Sequence, residues 1–342
     1  MAIGASAGGV EALQRVVRNL PQSFPAPIVV VLHVPPTASS RLPEILSRAG
    51  ILPAVHVMDG LPLESGVIYV APPDRHVTTN GRGLQLVEGP RENGLRPAID
   101  PLFRSAARSY HEGLVAAVLS GTLDDGTSGI ADVHAHGGIT IAQEPKDAIC
   151  PGMPQNAIEN ATVDYVVRAD DMAELFVELM SRPIGARPEA PRRTFSSQPT
   201  DLVCPECGGV LRQFEENGVV RFHCRVGHNY SPESLFDAQD ARLEAALWAA
   251  IRSLEESASM ARRLGESARR RGANLTARRF DDRERDAAER ADVIRSAILT
   301  LSGLNETPAL AEAEPVADED EAVRAALGIG SEPEAGGDEA AS

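Results

Sequence analysis

Aromatic residues are scarce: Phe, Tyr and Trp make up 4% of the 342 residues, with one Trp among them. A nucleic-acid surface built on ring stacking is poorly supplied by such a chain. Positive charge is in deficit as well. There are 33 Lys and Arg against 49 Asp and Glu, a net charge of −16, which argues against a polyanionic partner. No run of about 18 apolar residues occurs, so no membrane-spanning helix is expected. The N-terminus lacks the charged and apolar regions of a signal peptide. These absences point to a cytoplasmic protein with no nucleic-acid partner and no insertion into a membrane. Cysteine is also rare. There are four, and three fall at Cys204, Cys207 and Cys224. Without a secretory signal, such clustering reads as metal binding before disulfide.

What is present suffices for two or three domains at roughly 100–200 residues each. Hydrophobic residues form 43% of the chain. The acidity is uneven: residues 304–342 hold eleven Asp and Glu against Arg324 alone, a net of −10 within the total of −16. Residues 1–181 read as one α/β domain. Ile28–Leu32 is a continuous β-branched run, the mark of a strand buried on both faces. Leu114–Leu119, Ile139–Ala142 and Gly66–Val70 read as further strands. Val10, Leu13, Val16, Val17 and Leu20 share a helical face that Pro21 ends, and Asp171–Met180 gives a last helix. Alternating strands and helices predict a doubly wound, mostly parallel sheet. Residues 182–200 read as a Pro- and Arg-rich linker, residues 201–230 as a small Cys/His module, residues 231–303 as a helical hairpin broken near Gly272 and Asn274, and residues 304–342 as an acidic disordered tail.

Ile3-Gly-Ala-Ser-Ala-Gly-Gly9 precedes the first helix. Glycines at a strand-to-helix turn bring backbone N–H groups to the helix N-terminus, and Ser6 would stand at the carboxyl edge of the sheet, where open α/β folds bind ligands. A phosphate- or dinucleotide-binding turn is the plainer alternative, although neither G-x-G-x-x-G nor a P-loop Lys-Ser/Thr is present. A serine nucleophile needs a base and an orienting group. His33 directly follows the Ile28–Leu32 strand. Asp124 and Asp125 follow the 114–119 strand. Taken singly, His33 is an ordinary strand-end histidine and Asp125 an Asp-Gly turn. Together with Ser6, they converge on one edge from three strands.

Six blocks occur in order: Ile3–Leu13, His33-Val-Pro-Pro36, Tyr69-Val-Ala-Pro-Pro-Asp-Arg-His76, Arg96-Pro-Ala-Ile-Asp-Pro-Leu-Phe103, Leu119-Ser-Gly-Thr-Leu-Asp-Asp-Gly126 and Gly152-Met-Pro154. Over residues 1–181 the chain resembles the catalytic domain of the CheB-type chemotaxis protein-glutamate methylesterases. The resemblance implies a doubly wound parallel sheet and a catalytic triad of Ser6, His33 and Asp125, with Asp124 as a neighbour. It also implies hydrolysis of γ-glutamyl methyl esters on methyl-accepting chemoreceptors or similar helical substrates, with deamidation of glutamines as a second activity and no catalytic cofactor. Backbone N–H groups of Ala7–Gly9 are the expected oxyanion donors.

The chain departs from the family pattern in three ways. Ala7 stands where the familiar member has Thr. No N-terminal receiver domain is present, so control by phosphorylation in cis is not expected. Only Met1–Gly4 precede Ala5-Ser6, and strands usually run about 5–6 residues, so either the chain start is misplaced or the first strand is stunted.

The second motif is Cys204-x2-Cys207-x16-Cys224-x3-His228. Tetrahedral Zn²⁺ suits three thiolates and one imidazole, and four protein ligands make a closed, structural site. A redox C-x-x-C pair and plain buried thiols are the alternatives, and His223 rivals His228 as the fourth ligand. Glu215-Glu-Asn-Gly218 between two apolar stretches predicts a hairpin, hence a zinc-ribbon layout. The Arg262–Arg271 stretch is interleaved with Glu266 and reads as a solvated face. The hairpin helices are candidates for self-association. Two functions therefore stand side by side: an active methylesterase, and an inactive or weakly active adaptor that binds signalling partners through its C-terminal half.

Overall fold

The computed structural model describes residues 1–60, 62–182 and 195–304. They fall into two compact units, residues 1–243 and the residues from Glu244 onward.

In chain order the first unit begins with β1 (Ala2–Ala5), α1 (Gly9–Arg18), β2 (Ile28–Leu32), α2 (Leu42–Ala49), β3 (Ala54–His56), β4 (Ile68–Val70), β5 (His76–Thr79) and β6 (Leu84–Val87). There follow α3 (Ile99–Tyr110), β7 (Val115–Val118), α4 (Thr127–Ala135), β8 (Ile139–Gln143), α5 (Gly152–Asn160), β9 (Tyr165–Val167) and α6 (Met172–Ser181). Seven strands form one parallel sheet in the order β3-β4-β2-β1-β7-β8-β9. β5 and β6 make a separate antiparallel hairpin. The order reverses direction between β1 and β7, the switch point at which doubly wound sheets open a crevice at their carboxyl ends.

The first strand is short but not defective. All four of its residues pair with β2, and Ala2, Ile3 and Gly4 pair with β7. Its side chains are buried because helices cover both faces. Ile3 and Ala5 join the core beneath α1 and α6, while Ala2 joins the core beneath α3 and α4. Gly4 lets α3 approach: a Cβ there would lie 2.5 Å from Ile99 Cγ2. Four residues therefore suffice, since both neighbours supply backbone partners and close packing replaces length.

The Cys/His module adds β10 (Phe195–Val203), β11 (Val210–Glu216), β12 (Val219–Cys224) and β13 (Asn229–Tyr230), an antiparallel sheet in chain order. β10 pairs with β11 from Phe195 onward, so the predicted linker 182–200 gives up its last six residues to a strand. Residues 183–194 of that linker lie outside the described residues. The hairpin turn uses Asn217 (φ 54°) and Gly218 (φ 81°), the left-handed pair that two-residue hairpin turns require.

α7 (Pro232–Arg270) and α8 (Asn274–Leu304) follow, separated at Gly272 with φ 72°. Within the second unit Ile251, Ala261, Ala268, Ala277, Ala287, Ala291 and Ile298 are buried. The small residues among them let the two helices approach closely. Leu243, just before the second unit, is 51% exposed. The expected acidic tail beyond Leu304 lies outside the described residues. Among those described, no helix is long and apolar enough to cross a membrane.

Candidate functional site

The parallel register sets the site. Ala5 pairs with Leu32, so Ser6 and His33 are the next residues off two neighbouring strands. The His33 N–H donates to Ala5 O at 3.1 Å. Ser6 is held from the other side, its N–H donating to Ser120 O at 2.9 Å just past β7. Ser120 then ties the Ser6 turn to the 150 loop. Its hydroxyl donates to Ala7 O at 2.7 Å and accepts from the Cys150 N–H at 2.9 Å. Gly8 is required here: it has φ 71°, and a Cβ would fall 2.6 Å from Ser120 Oγ.

Asp125 lies on the loop between β7 and α4 with its side chain 2% exposed. Its Oδ2 faces His33 Nε2 at 2.7 Å and accepts the Ile99 N–H at 2.7 Å. Its Oδ1 accepts from Asn93 Nδ2 at 2.9 Å. Burial by itself raises a carboxyl pKa. Here the hydrogen bond and charge of His33, the Ile99 N–H and the Asn93 amide outweigh it and hold Asp125 below the usual carboxylate range. The aspartate is thus ionised and fully partnered, while His33 Nδ1 remains for a second task. Ser6 Oγ makes no hydrogen bond to His33 among the described residues, and nucleophile–base contacts in sites without substrate are often loose.

The turn also revises the oxyanion expectation. The Gly9 N–H donates to Ser6 O at 2.8 Å, so it is already committed to the turn. The N–H groups of Ala7 and Gly8 have no such partner among the described residues. Asp124, the neighbour of Asp125, points elsewhere: its Oδ1 accepts from Ser231 Oγ at 2.6 Å and from Ser234 Oγ at 3.0 Å. Burial pushes its carboxyl up to about 6 even though both hydroxyls oppose the shift. Asn93, Ser120 and the Ile99 N–H were not singled out in the sequence. Asn93-Gly94 carries the turn signal of an Asn-Gly pair, but nothing in one sequence aims its amide at Asp125.

The Cys/His motif closes into a compact group. Cys204 Sγ, Cys207 Sγ, Cys224 Sγ and one His228 nitrogen all lie within 4.8 Å of one another. His228 Nδ1 is 3.6 Å from Cys204 Sγ and 3.5 Å from Cys224 Sγ, and Cys207 Sγ is 3.7 Å from Cys224 Sγ. A tetrahedral ion with Zn–S near 2.3 Å and Zn–N near 2.0 Å requires edges of about 3.8 Å and about 3.5 Å. The donor set therefore fits. The other His228 nitrogen, Nε2, is 3.4 Å from Glu206 Oε2, the outer carboxylate that commonly orients a ligating imidazole. His223 is outside the group, its ring packed on Phe214 with centroids 4.6 Å apart.

Residues 1–176 match the family model described as CheB methylesterase. A relative from Anaeromyxobacter dehalogenans, named protein-glutamate methylesterase/protein-glutamine glutaminase 3, is 40% identical over 51% of this chain and 52% of its own. One from Leptospira interrogans, named a putative protein of the same type, is 34% identical over 52% of this chain and 92% of its own. The crystal structure of the Thermotoga maritima CheB methylesterase catalytic domain is 36% identical, covers 52% of this chain and 96% of the solved one, and superposes with a TM-score of 0.50. The chain spans about half the length of several of the curated relatives it matches. Since the family pattern runs from the first strand to the last helix of the parallel sheet, taking in more than half of the sequence, this chain belongs to the CheB methylesterase family.

Proposed function

We propose that the chain is a protein-glutamate methylesterase acting by Ser-His-Asp acyl transfer. The observation that carries this reading is the buried His33–Asp125 pair at 2.7 Å, one strand away from Ser6. In the proposed reaction His33 Nδ1 takes the Ser6 Oγ proton as the oxygen attacks the γ-carbonyl carbon of a glutamyl methyl ester. Asp125 accepts the hydrogen bond from Nε2–H and stabilises the imidazolium. The Ala7 and Gly8 N–H groups, at the N-terminus of α1, face the developing oxyanion. Collapse breaks the ester C–O bond, and His33 returns the proton to the leaving oxygen, which departs as methanol. Water then gives a proton to His33, attacks the acyl carbon and releases glutamate, restoring Ser6. A glutamine amide would follow the same course with ammonia as the leaving group.

The substrate proposed is a methyl-accepting chemoreceptor or a similar helical protein in the cytoplasm, with no nucleic acid involved. Catalysis in this scheme uses no cofactor. Cys204, Cys207, Cys224 and His228 are proposed to hold a structural Zn²⁺, and the α7–α8 hairpin is a candidate for self-association. Methanol release from methylated receptor membranes, measured for wild type beside Ser6→Ala, tests the reading. Release that disappears in the variant is expected. A folded wild type that neither releases methanol nor takes an organophosphonate label at Ser6 would instead support the adaptor.

A further inference from the structure

The Cys/His module sits against the triad within the same compact unit. β13 runs beside the loop at residues 91–93. The Asn93 N–H donates to Asn229 O at 2.7 Å, and the Asn229 amide donates to Glu92 Oε2 at 3.0 Å. The Ser231 N–H donates to Asn93 Oδ1 at 2.9 Å. Asn93 therefore has both ends of its amide engaged: the oxygen faces the module and the NH₂ faces Asp125 Oδ1. Asn93 itself is 8% exposed, and its backbone is left-handed, with φ 54°, a conformation asparagine tolerates better than most residues.

The orientation of this amide has a chemical consequence. An asparagine with no outside anchor can turn its oxygen toward a carboxylate or its NH₂ toward it, and only the second is attractive. The Ser231 N–H requires an acceptor, so it fixes the oxygen on its own side and delivers the NH₂ to Asp125. Asn229 directly follows the proposed metal ligand His228, and the Cys224 N–H donates to His228 O at 3.1 Å. A short path thus runs from the Cys/His cluster through Asn229 and Ser231 to Asn93, and then to Asp125 and His33.

We infer that the Cys/His module is part of the catalytic apparatus and that Asn93 is the positioning residue through which it holds the triad carboxylate. The inference rests on the methylesterase reading. It makes the module a clamp on the reaction rate in addition to a small folded appendage. Removing one hydrogen bond to an ionised group should slow acylation about 10–100-fold, appearing in kcat with little change in KM, because Asn93 touches Asp125 and not the substrate.

The test uses the full chain and two perturbations, separately and together. One is Asn93→Ala. The other is release of the module by zinc chelation, with Cys224→Ser as an independent route. The readouts are the rate of organophosphonate labelling at Ser6, kcat and KM for methanol release, zinc content, and hydrogen exchange of the amides at residues 91–93. The expected result is that each perturbation slows labelling of Ser6 to a similar degree and the pair slows it no further, since both break the same link. Chelation should speed exchange at residues 91–93, and added zinc should restore both exchange and labelling. An Asn93→Ala protein that labels at the wild-type rate overturns the inference, as does a chelated or Cys224→Ser protein that does so. Multiplicative losses also overturn it, because the module would then act by another route. A zinc-loaded wild type that does not label at all refutes the esterase reading itself, a distinct outcome.

Discussion

Asp125→Asn is the most informative single substitution in the proposed triad. It conserves shape and removes a charge. Asp125 accepts three hydrogen bonds, two at Oδ2 from His33 Nε2 and the Ile99 N–H and one at Oδ1 from Asn93 Nδ2. Asparagine has one oxygen to offer. If it keeps that oxygen toward His33 and Ile99, its own NH₂ meets the Asn93 NH₂, and Asn93 cannot simply flip because Ser231 holds its oxygen. If the amide turns round, the NH₂ meets the Ile99 N–H and forces His33 to accept at Nε2, which places the remaining proton on Nδ1 and removes the base. One buried donor is left without a partner in either case, at a cost of about 1–3 kcal/mol in stability. The reaction loses the anion that stabilises the imidazolium. Triads with this change lose about 10³–10⁴ in rate, roughly 4–5.5 kcal/mol of barrier. Stopped-flow labelling of Ser6 and methanol release would measure it, with urea unfolding alongside. A variant of normal fold within ten-fold of the wild-type rate would refute the assignment of Asp125 as the orienting group.

Other outcomes follow from the same geometry. Asp124→Asn should stabilise the protein at neutral pH. The folded carboxyl is pushed up to about 6 from an unfolded value near 3.9, so its favourable contribution is complete below about pH 4 and is lost as pH rises through about 6. The amide keeps an acceptor for Ser231 and Ser234. The stability gap between variant and wild type should therefore widen by about 2–3 kcal/mol between pH 4 and pH 7.5 in urea titrations, and a constant gap would contradict the burial argument. Gly121→Ala should abolish turnover and cost about 1–3 kcal/mol, because the new methyl would lie 2.1 Å from Met153 Sδ and 2.8 Å from Ser6 Cβ; near-normal kcat would show that the turn relaxes. Elemental analysis should find one zinc per chain, and chelation should expose Cys204, Cys207 and Cys224 to a thiol reagent. Unchanged thiol reactivity with far less than one zinc would reject the metal site.

The sequence made the sheet legible where burial is complete on both faces. Ile28–Leu32 has no polar position, and it is β2 from end to end. The three strand ends carrying Ser6, His33 and Asp125 were readable because parallel connectivity returns each strand to the same edge. What could not be read arises from tertiary contact. The adequacy of β1 depends on pairing with β7, more than 110 residues away. The commitment of the Gly9 N–H depends on the turn closing on Ser6 O. The anchoring of Asn93 depends on a contact with Ser231, 138 residues later. Periodicity within a window of 10–20 residues carries no information about such pairs. The Cys/His cluster was legible because its members come in two short-spaced pairs, Cys204 with Cys207 and Cys224 with His228, whereas hydrogen-bonded amides carry no such spacing.

The position of β1 bears on how the protein is made. The strand is synthesised before both of its neighbours but lies in the middle of the sheet, and one of its edges stays open until Val115–Val118 arrive. The Ser6 backbone has no partner at Ser120 until that point either. A nascent chain that has not yet reached Ser120 can therefore pair β1 with β2 while lacking both the Ser120 anchor and Asp125. Pairing across such sequence distances is slow and leaves strand edges exposed to other chains. Ribosome-bound intermediates at this stage should be the most dependent on chaperones, and the Ser6 turn acquires its Ser120 anchor only after the second half of the sheet has joined the first.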